Sequence, residues 1–328
     1  MGKLNELWVN SRINPLRSLL NWLEDLSEAQ FAYLMLTPMF ALLGAMAFWP
    51  LIRTLQLSLY ADSIATAGGV GEFVSVENYV EIITGQRDAF LPNPFLDLSN
   101  PFSSALTITL IFTVVSVALE TFIGFGQALI LNKSFIGRRW VRVALIIPWA
   151  VPIVIQGMIF YLLFNPGIGF LVDPLYSAGI FSQAPLASSS DSLVVVILAD
   201  VWRQSAFMTL LILAGLQSID RSLYKVSRIS GASRWQQFKT ITFPLVLPTL
   251  LVALLFRTIG AMKIFGAIQT ISSCTTLPSL SCLVVSTFQN GRFGSAATVA
   301  FITAALIGAM LLVYLLVLVR SDTGQGGL

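Results

Sequence analysis

Read for runs of apolar and polar positions, the chain separates into six apolar stretches with short polar segments between them. About 20 helical residues cross about 30 Å of hydrocarbon, and each stretch is long enough. The first begins at Phe31 and meets no charge until Arg53; the second covers 106–131 with only Glu120 interrupting it. The third covers 143–164 and contains Pro148 and Pro152; the fourth, 193–216, includes Asp200 and Arg203. The fifth, 245–268, carries Arg257 and Lys263, and the sixth, 296–319, is free of charge. An all-α, polytopic membrane fold of about six spans follows, with no internal repeat evident.

Six spans place residues 1–30, 132–142, 217–244 and 320–328 on one side. These segments hold thirteen of the nineteen Lys and Arg, among them Lys3, Arg12, Arg17 and Arg320. The opposite loops hold only Arg87 and Arg292, beside eight acids. Basic residues concentrate in cytoplasmic loops, so both termini are expected in the cytoplasm of a multi-pass cell-membrane protein. The domain reading is an amphipathic segment over 1–30, a transmembrane domain over 31–320 and a short tail over 321–328. The outer loop 60–103 is rich in turn formers ("AGGVG", "LPNPF", "LSNP") and predicts one short helix at "SVENYVEIITG".

Composition narrows the chemistry. The chain is 56% hydrophobic and 11% charged, with mean hydropathy +0.82, against about 25% charged residues in soluble domains. The net charge of +3 therefore reflects membrane orientation, and no nucleic-acid partner is expected. There is no histidine, which removes Ser-His-Asp, Cys-His and His-ligated metal chemistry. Cys274 and Cys282 are too few for a thiolate metal site, so no metal is expected. They fall in an outer loop where an oxidising exterior permits a disulfide, the alternative being two free thiols. No G-x-x-x-x-G-K-[ST] loop is present, so no nucleotide is expected on this chain. The first 30 residues lack a short apolar core followed by a cleavage site, unlike a signal peptide.

One polar segment has a distinctive pattern. Between Leu223 and Pro248, apolar residues recur every third position at Val226, Ile229, Ala232, Trp235, Phe238 and Ile241. Steps of three drift around a straight helix, so one apolar face requires a break. Gly231 is the place for it, because glycine accepts left-handed backbone. Two short helices at the membrane surface are predicted, with Trp235 and Phe238 adjacent; Pro244 and Pro248 mark the entry to the fifth span. An ordinary basic loop with an interfacial helix is the plainer alternative.

The stretch "LYKVSRISGASRWQQFKTITFPLVLP" resembles the conserved cytoplasmic loop of ABC importer permeases. Together with "ILADVWRQSAFMTLLILAGLQSIDRSLY" and "LLVALLFRTIGAMKIFGAI", it is similar to the carbohydrate class, the maltose and glycerol-phosphate permease-like family. The likeness covers roughly 30–320 and implies a type I importer core. In that family the loop docks on a cytosolic ATPase and carries its closure to the helices. The resemblance implies that Gly231 is the bend, that Ala232 and Phe238 pack it, and that Ile241 and Pro244 end it. Lys225, Val226 and Ser227 stand where the family has Glu-Ala-Ala, and Ser230 where it has Asp. Lys225 thus reverses a charge that normally meets a basic ATPase residue. "IFGAIQTISSC" also lacks the Phe-Asp and Gly-rich run of the family.

Ionisable groups in hydrocarbon need a partner, a cavity or water. Asp200 and Arg203, three apart on one helix face, are predicted to pair. Arg257 falls near the midplane, where it meets sugar hydroxyls or pairs with Glu120 or a neighbouring subunit. Lys263 sits further out and snorkels. Trp149, Trp202 and Gln156 are further candidates for a sugar-facing pathway, with Arg203. The expected function is a permease subunit importing a sugar or polyol by alternating access. Its partners would be a second permease, two ATPase subunits carrying ATP and Mg, and an extracytoplasmic solute-binding protein. An ion-coupled secondary transporter is the alternative; it needs repeats and intramembrane acids, for which Glu120 and Asp200 are the sole candidates. A membrane enzyme is disfavoured by the missing histidines.

Overall fold

A computed structural model describes residues 24–63 and 70–325. Lys3, Arg12 and Arg17 of the predicted amphipathic segment lie outside the described residues. The chain divides into two compact units, Met1–Gln56 and Leu57–Leu328.

In the first unit, helix α1 (Glu28–Leu43) starts from a capping box. Gln30 N–H donates to Ser27 Oγ at 3.3 Å and Ser27 N–H to Gln30 Oε1 at 3.0 Å. A π turn at Gly44–Phe48 leads into α2 (Trp49–Ser58). Together they form an apolar rod of 31 residues, Glu28–Ser58, and α1 has no buried residue.

The second unit begins with a hairpin of β1 (Tyr60–Asp62) and β2 (Val70–Phe73), then α3 (Glu77–Ile83), the predicted outer helix. α4 (Ala105–Leu131) follows, then α5 (Arg138–Ala150) and α6 (Ile153–Phe164). The short α7 (Val172–Ser177) precedes α8 (Ser189–Ser218), α9 (Arg221–Ile229) and α10 (Arg234–Gln237). A π turn at Phe238–Thr242 runs on into α11 (Phe243–Met262), and α12 (Gly266–Ile271), α13 (Leu280–Gln289) and α14 (Phe293–Gln325) complete the chain. Five helical stretches among the described residues are long and apolar enough to cross a membrane, or six if α5 and α6 form one span.

α8 is the central helix, packing on α4, α5, α6, α11 and α12. Apolar residues on several of its faces are buried, including Val195, Val196, Ala199, Met208 and Ile212. One core cluster joins Ile108 and Phe112 of α4 to α8, Ala261 and Ile271. A second, toward the other end, joins Ala128 and Leu131 to Met208, Ile212, Val246 and Leu250.

Two span boundaries depart from the sequence reading. The third stretch is bent by 93° between α5 and α6. Pro152 has no N–H and forces the residue before it out of helical backbone; Val151 accordingly sits at φ −72°, ψ 128°. The fifth stretch ends at Met262 instead of reaching Ile268, because Lys263–Phe265 leave helical geometry before α12 restarts. α12 instead packs on α6. Gly157 permits this approach: a Cβ there would collide with the Thr270 side chain.

Candidate functional site

Two neighbouring regions and one distant cluster gather the chemistry. The first is the 220–244 hook. Asp220 caps α9, accepting from Ser222 N–H at 2.8 Å. That backbone bond, with Lys225 nearby, holds the Asp220 carboxyl below its ordinary range. α9 then stops abruptly. Gly231 takes φ +81°, while Gly231 N–H donates to Arg228 O at 3.1 Å and Ala232 N–H to Ser227 O at 2.9 Å. This double closure around a left-handed glycine satisfies the orphan carbonyls of the helix end.

Ser233 starts α10 with a second capping box: its N–H donates to Gln236 Oε1 at 2.7 Å and its Oγ accepts from Gln236 N–H at 3.3 Å. Gln237 Nε2 donates to Ala232 O at 3.1 Å, closing the corner from inside. Tyr224 and Thr242 join the two arms through their hydroxyls at 3.0 Å. The Trp235 and Phe238 rings stack at 5.4 Å, and Phe238 meets Phe125 of α4 edge-on at 5.7 Å. Ile241 packs against the second core cluster, and Pro244 lies in the first turn of α11. Val226, Ile229 and Trp235 remain exposed, at 62%, 88% and 70%. Lys225, Ser227 and Ser230 sit on α9 and its cap, with Ser230 Oγ donating to Val226 O.

The second region lies above the hook in the membrane-spanning helices. A cavity of about 950 Å³ is walled by α4, α11 and α14 and floored by Trp235 and Phe238. Its lining is aromatic and aliphatic, with Phe122, Phe125, Phe243 and Leu254. Its polar points are few: Thr113, Thr121, Gln127 and the Thr258–Tyr314 hydroxyl pair at 3.0 Å.

Beside this cavity, three charged residues from three helices converge out of solvent. Arg257 is 4% exposed, Glu120 0% and Asp200 5%. The Arg257 guanidinium grips Glu120 through Nε to Oε2 and through Nη2 to Oε1 at 2.8 Å, and the same Nη2 also donates to Asp200 Oδ2. The predicted Asp200–Arg203 pair is therefore not formed: Asp200 takes Arg257 from α11, and Arg203 Nε is buried without a hydrogen-bond partner. A planar fork reaching two carboxylates at once outcompetes a single contact along one helix.

The remaining sequence candidates do not gather around the cavity. Gln156 is buried, its Nε2 donating to Ala199 O at 2.6 Å. Trp202 packs on Phe160 and Trp149 on Phe207. Lys263 forms the C-terminal cap of α11. None of Arg257, Arg203, Gln156, Trp149 and Trp202 lines the large cavity. The residues that do, such as Thr258 and Tyr314, come from helices far apart in sequence, and no local motif announces them.

At the opposite end of the helices from the hook, the hairpin and α3 are tied to α14. Arg87 Nε pairs with Glu81 at 2.6 Å, and its Nη1 donates to Ser295 Oγ at 2.9 Å. Asp62 accepts from Ser295 N–H at 3.0 Å and from its Oγ at 2.5 Å, a cap supplied from 233 residues away. Nearby, Cys274 and Cys282 are joined in a disulfide.

Comparison with known proteins agrees with this arrangement. Residues 120–322 match the family described as "Binding-protein-dependent transport system inner membrane component". The "Trehalose/maltose transport system permease protein MalF" of Thermococcus litoralis is 33% identical over 293 residues, 88% of this chain and 93% of that protein. The "Sulfoquinovosyl glycerol transport system permease protein SmoG" of Agrobacterium fabrum is 32% identical, covering 92% and 94%. In fold, the chain is similar to one in a structure titled "Crystal structure of bacterial alginate ABC transporter in complex with alginate pentasaccharide-bound periplasmic protein", with TM-score 0.70, 20% identity, and 86% and 92% of the two chains covered. The family match spans more than half of the sequence and the relatedness runs through nearly all of it, so this chain belongs to the inner-membrane permeases of binding-protein-dependent transport systems.

Proposed function

We propose that this chain imports a sugar (mono-, di- or oligosaccharide) or a sugar-like polyol, working as one permease of a pair driven by two cytosolic ATPase subunits. Relatives named for trehalose, maltose and sulfoquinovosyl glycerol support the carbohydrate class. Family membership sets the ion-coupled transporter aside. The observation that carries the reading is the hook: a corner stiffened by two caps and a left-handed glycine, presenting exposed Ile229 and Trp235 while Phe238 touches α4. Exposed apolar groups on a rigid corner are the marks of a docking surface.

The ATPase takes the outer side of α9 and α10. Lys225, Arg221 and Arg228 lie on that short helix, so the receiving groove is acidic, the reverse of the family's usual Glu. ATP binding draws the ATPase subunits together and pulls the hook; Phe238 passes the displacement to α4 through Phe125. The cavity above, with its Thr and Tyr hydroxyls among aromatic walls, opens and closes on the substrate path. Hydrolysis resets it. The membrane orientation puts both termini and the hook in the cytosol.

Reconstitution with the partner permease, the ATPase and the solute-binding protein tests this. Sugar uptake should require ATP. Gly231→Val should abolish binding-protein-stimulated ATP hydrolysis, because a branched residue at φ +81° is strained. Uptake driven by an ion gradient without ATP would overturn the proposal.

A further inference from the structure

We infer that Arg292 and the pocket around it form the seat for an acidic side chain of the delivering solute-binding protein. This rests on the orientation and importer reading above. The pocket is about 270 Å³ and is lined by Asp62, Glu81, Gln86, Arg87, Phe90 and Arg292. It lies at the end of the molecule opposite the hook, where the α13–α14 turn meets the outer loop.

Three observations point there. By sequence, Arg87 and Arg292 are the only basic residues in the outer loops, among eight acids. The fold brings both to the same pocket. Their states differ. Arg87 is engaged, pairing with Glu81 and Asp62 and donating to Ser295. Among the described residues, no acid lies within ion-pair distance of Arg292; its guanidinium is held over the Phe90 ring at 5.1 Å instead. A ring face fixes a guanidinium and leaves its in-plane N–H donors free. The pocket thus offers a forked donor, held in place and unused, with the Gln86 amide beside it.

The surroundings select the occupant. The outer loops carry an excess of acids, so within this pocket Arg292 is the cation left to attract a carboxylate. One cation in an anionic field acts as a register mark for a partner bearing one acid among basic groups, and such patterns set orientation and encounter rate. Asp62 and Glu81 are engaged with Arg87 and Ser295, so they do not compete for Arg292. A free anionic sugar is the weaker occupant, since one guanidinium and one amide leave its hydroxyls unmatched.

The test uses the whole importer in nanodiscs, titrating sugar-loaded solute-binding protein and reading ATP hydrolysis. Arg292→Gln should raise the half-saturating binding-protein concentration about tenfold, with maximal rate unchanged, and Arg292→Glu should raise it further. Arg292→Lys should stay near wild type, which separates lost charge from misfolding. A binding-protein variant with one surface acid changed to Lys should restore Arg292→Glu alone. Unchanged half-saturation in both Arg292→Gln and Arg292→Glu overturns the proposal. So does a rise in the sugar concentration needed at saturating binding protein, which assigns the pocket to a substrate anion. If binding protein fails to stimulate the wild-type complex, the importer reading falls first.

Discussion

At the scale of single residues, the buried charge cluster is the most consequential feature. Two carboxylates and one guanidinium from α4, α8 and α11 have left water together. Removing one partner of a buried ion pair costs about 3–5 kcal/mol, because the other charge stays buried and unpaired. Arg257→Leu, which strands both acids, should lower the midpoint of thermal unfolding in detergent far more than Arg203→Leu. Replacing Glu120, Asp200 and Arg257 together by Leu should recover most of that loss; no recovery would mean the cluster is not a closed set. The three charges were legible in sequence as anomalies within apolar runs. A pair of Arg257 with Glu120 is among the expectations from sequence and is formed; the capture of Asp200 by the same guanidinium was not foreseen. Asp200 has a ready local partner three residues on, and nothing in a one-dimensional reading weighs that contact against a fork arriving from 57 residues away.

Among elements, the hook was the most readable and the third span the least. A three-residue apolar row with one glycine in it implies a corner, and Gly231 has the positive φ that a corner needs. The capping boxes were not read, although Ser233 and Gln236 stand at the required spacing. Pro148 and Pro152 were both seen, yet only Pro152 breaks the path. Pro148 lies inside α5, whereas the residue before Pro152 turns to extended backbone. The hairpin at 60–73 was missed because strands of three and four residues carry no alternation to detect. The Asp220 cap gives a pH test of α9. Its carboxyl titrates below the ordinary range when folded, so its contribution is complete above about pH 4 and fades as pH falls through the folded value. The melting difference between wild type and Asp220→Ala should therefore be largest near neutrality and narrow toward pH 3. A difference constant with pH would show that the ionised form is not what the cap uses.

For the whole molecule, the proposed membrane orientation rests on where the positive charges fall, and the hook and the outer-loop ties lie at opposite ends of α4 and α8. The hook joins the C-terminal ends of α4 and α8 to the start of α11, whereas Ser192 and Thr109, near the starts of α8 and α4, meet Ser272 and Leu280. With Cys274 and Cys282 bonded to each other, a single introduced cysteine reports cleanly. Ser230→Cys in intact cells should resist a membrane-impermeant maleimide and react after lysis, while Asp97→Cys should react in both. The opposite pattern would invert the molecule and remove the hook from the ATPase.

The strap from Asp62 to Ser295 has a consequence for biogenesis. A ribosome emits the hairpin long before the final helix, yet that helix supplies the amide and hydroxyl that Asp62 accepts. Until the last span has been inserted, Asp62 lacks its two Ser295 donors and keeps only its longer contact with Arg87, so the hairpin is not yet tied to α14. A nascent or truncated chain thereby leaves the hairpin unfastened from the final helix, and closing that strap waits for the last span.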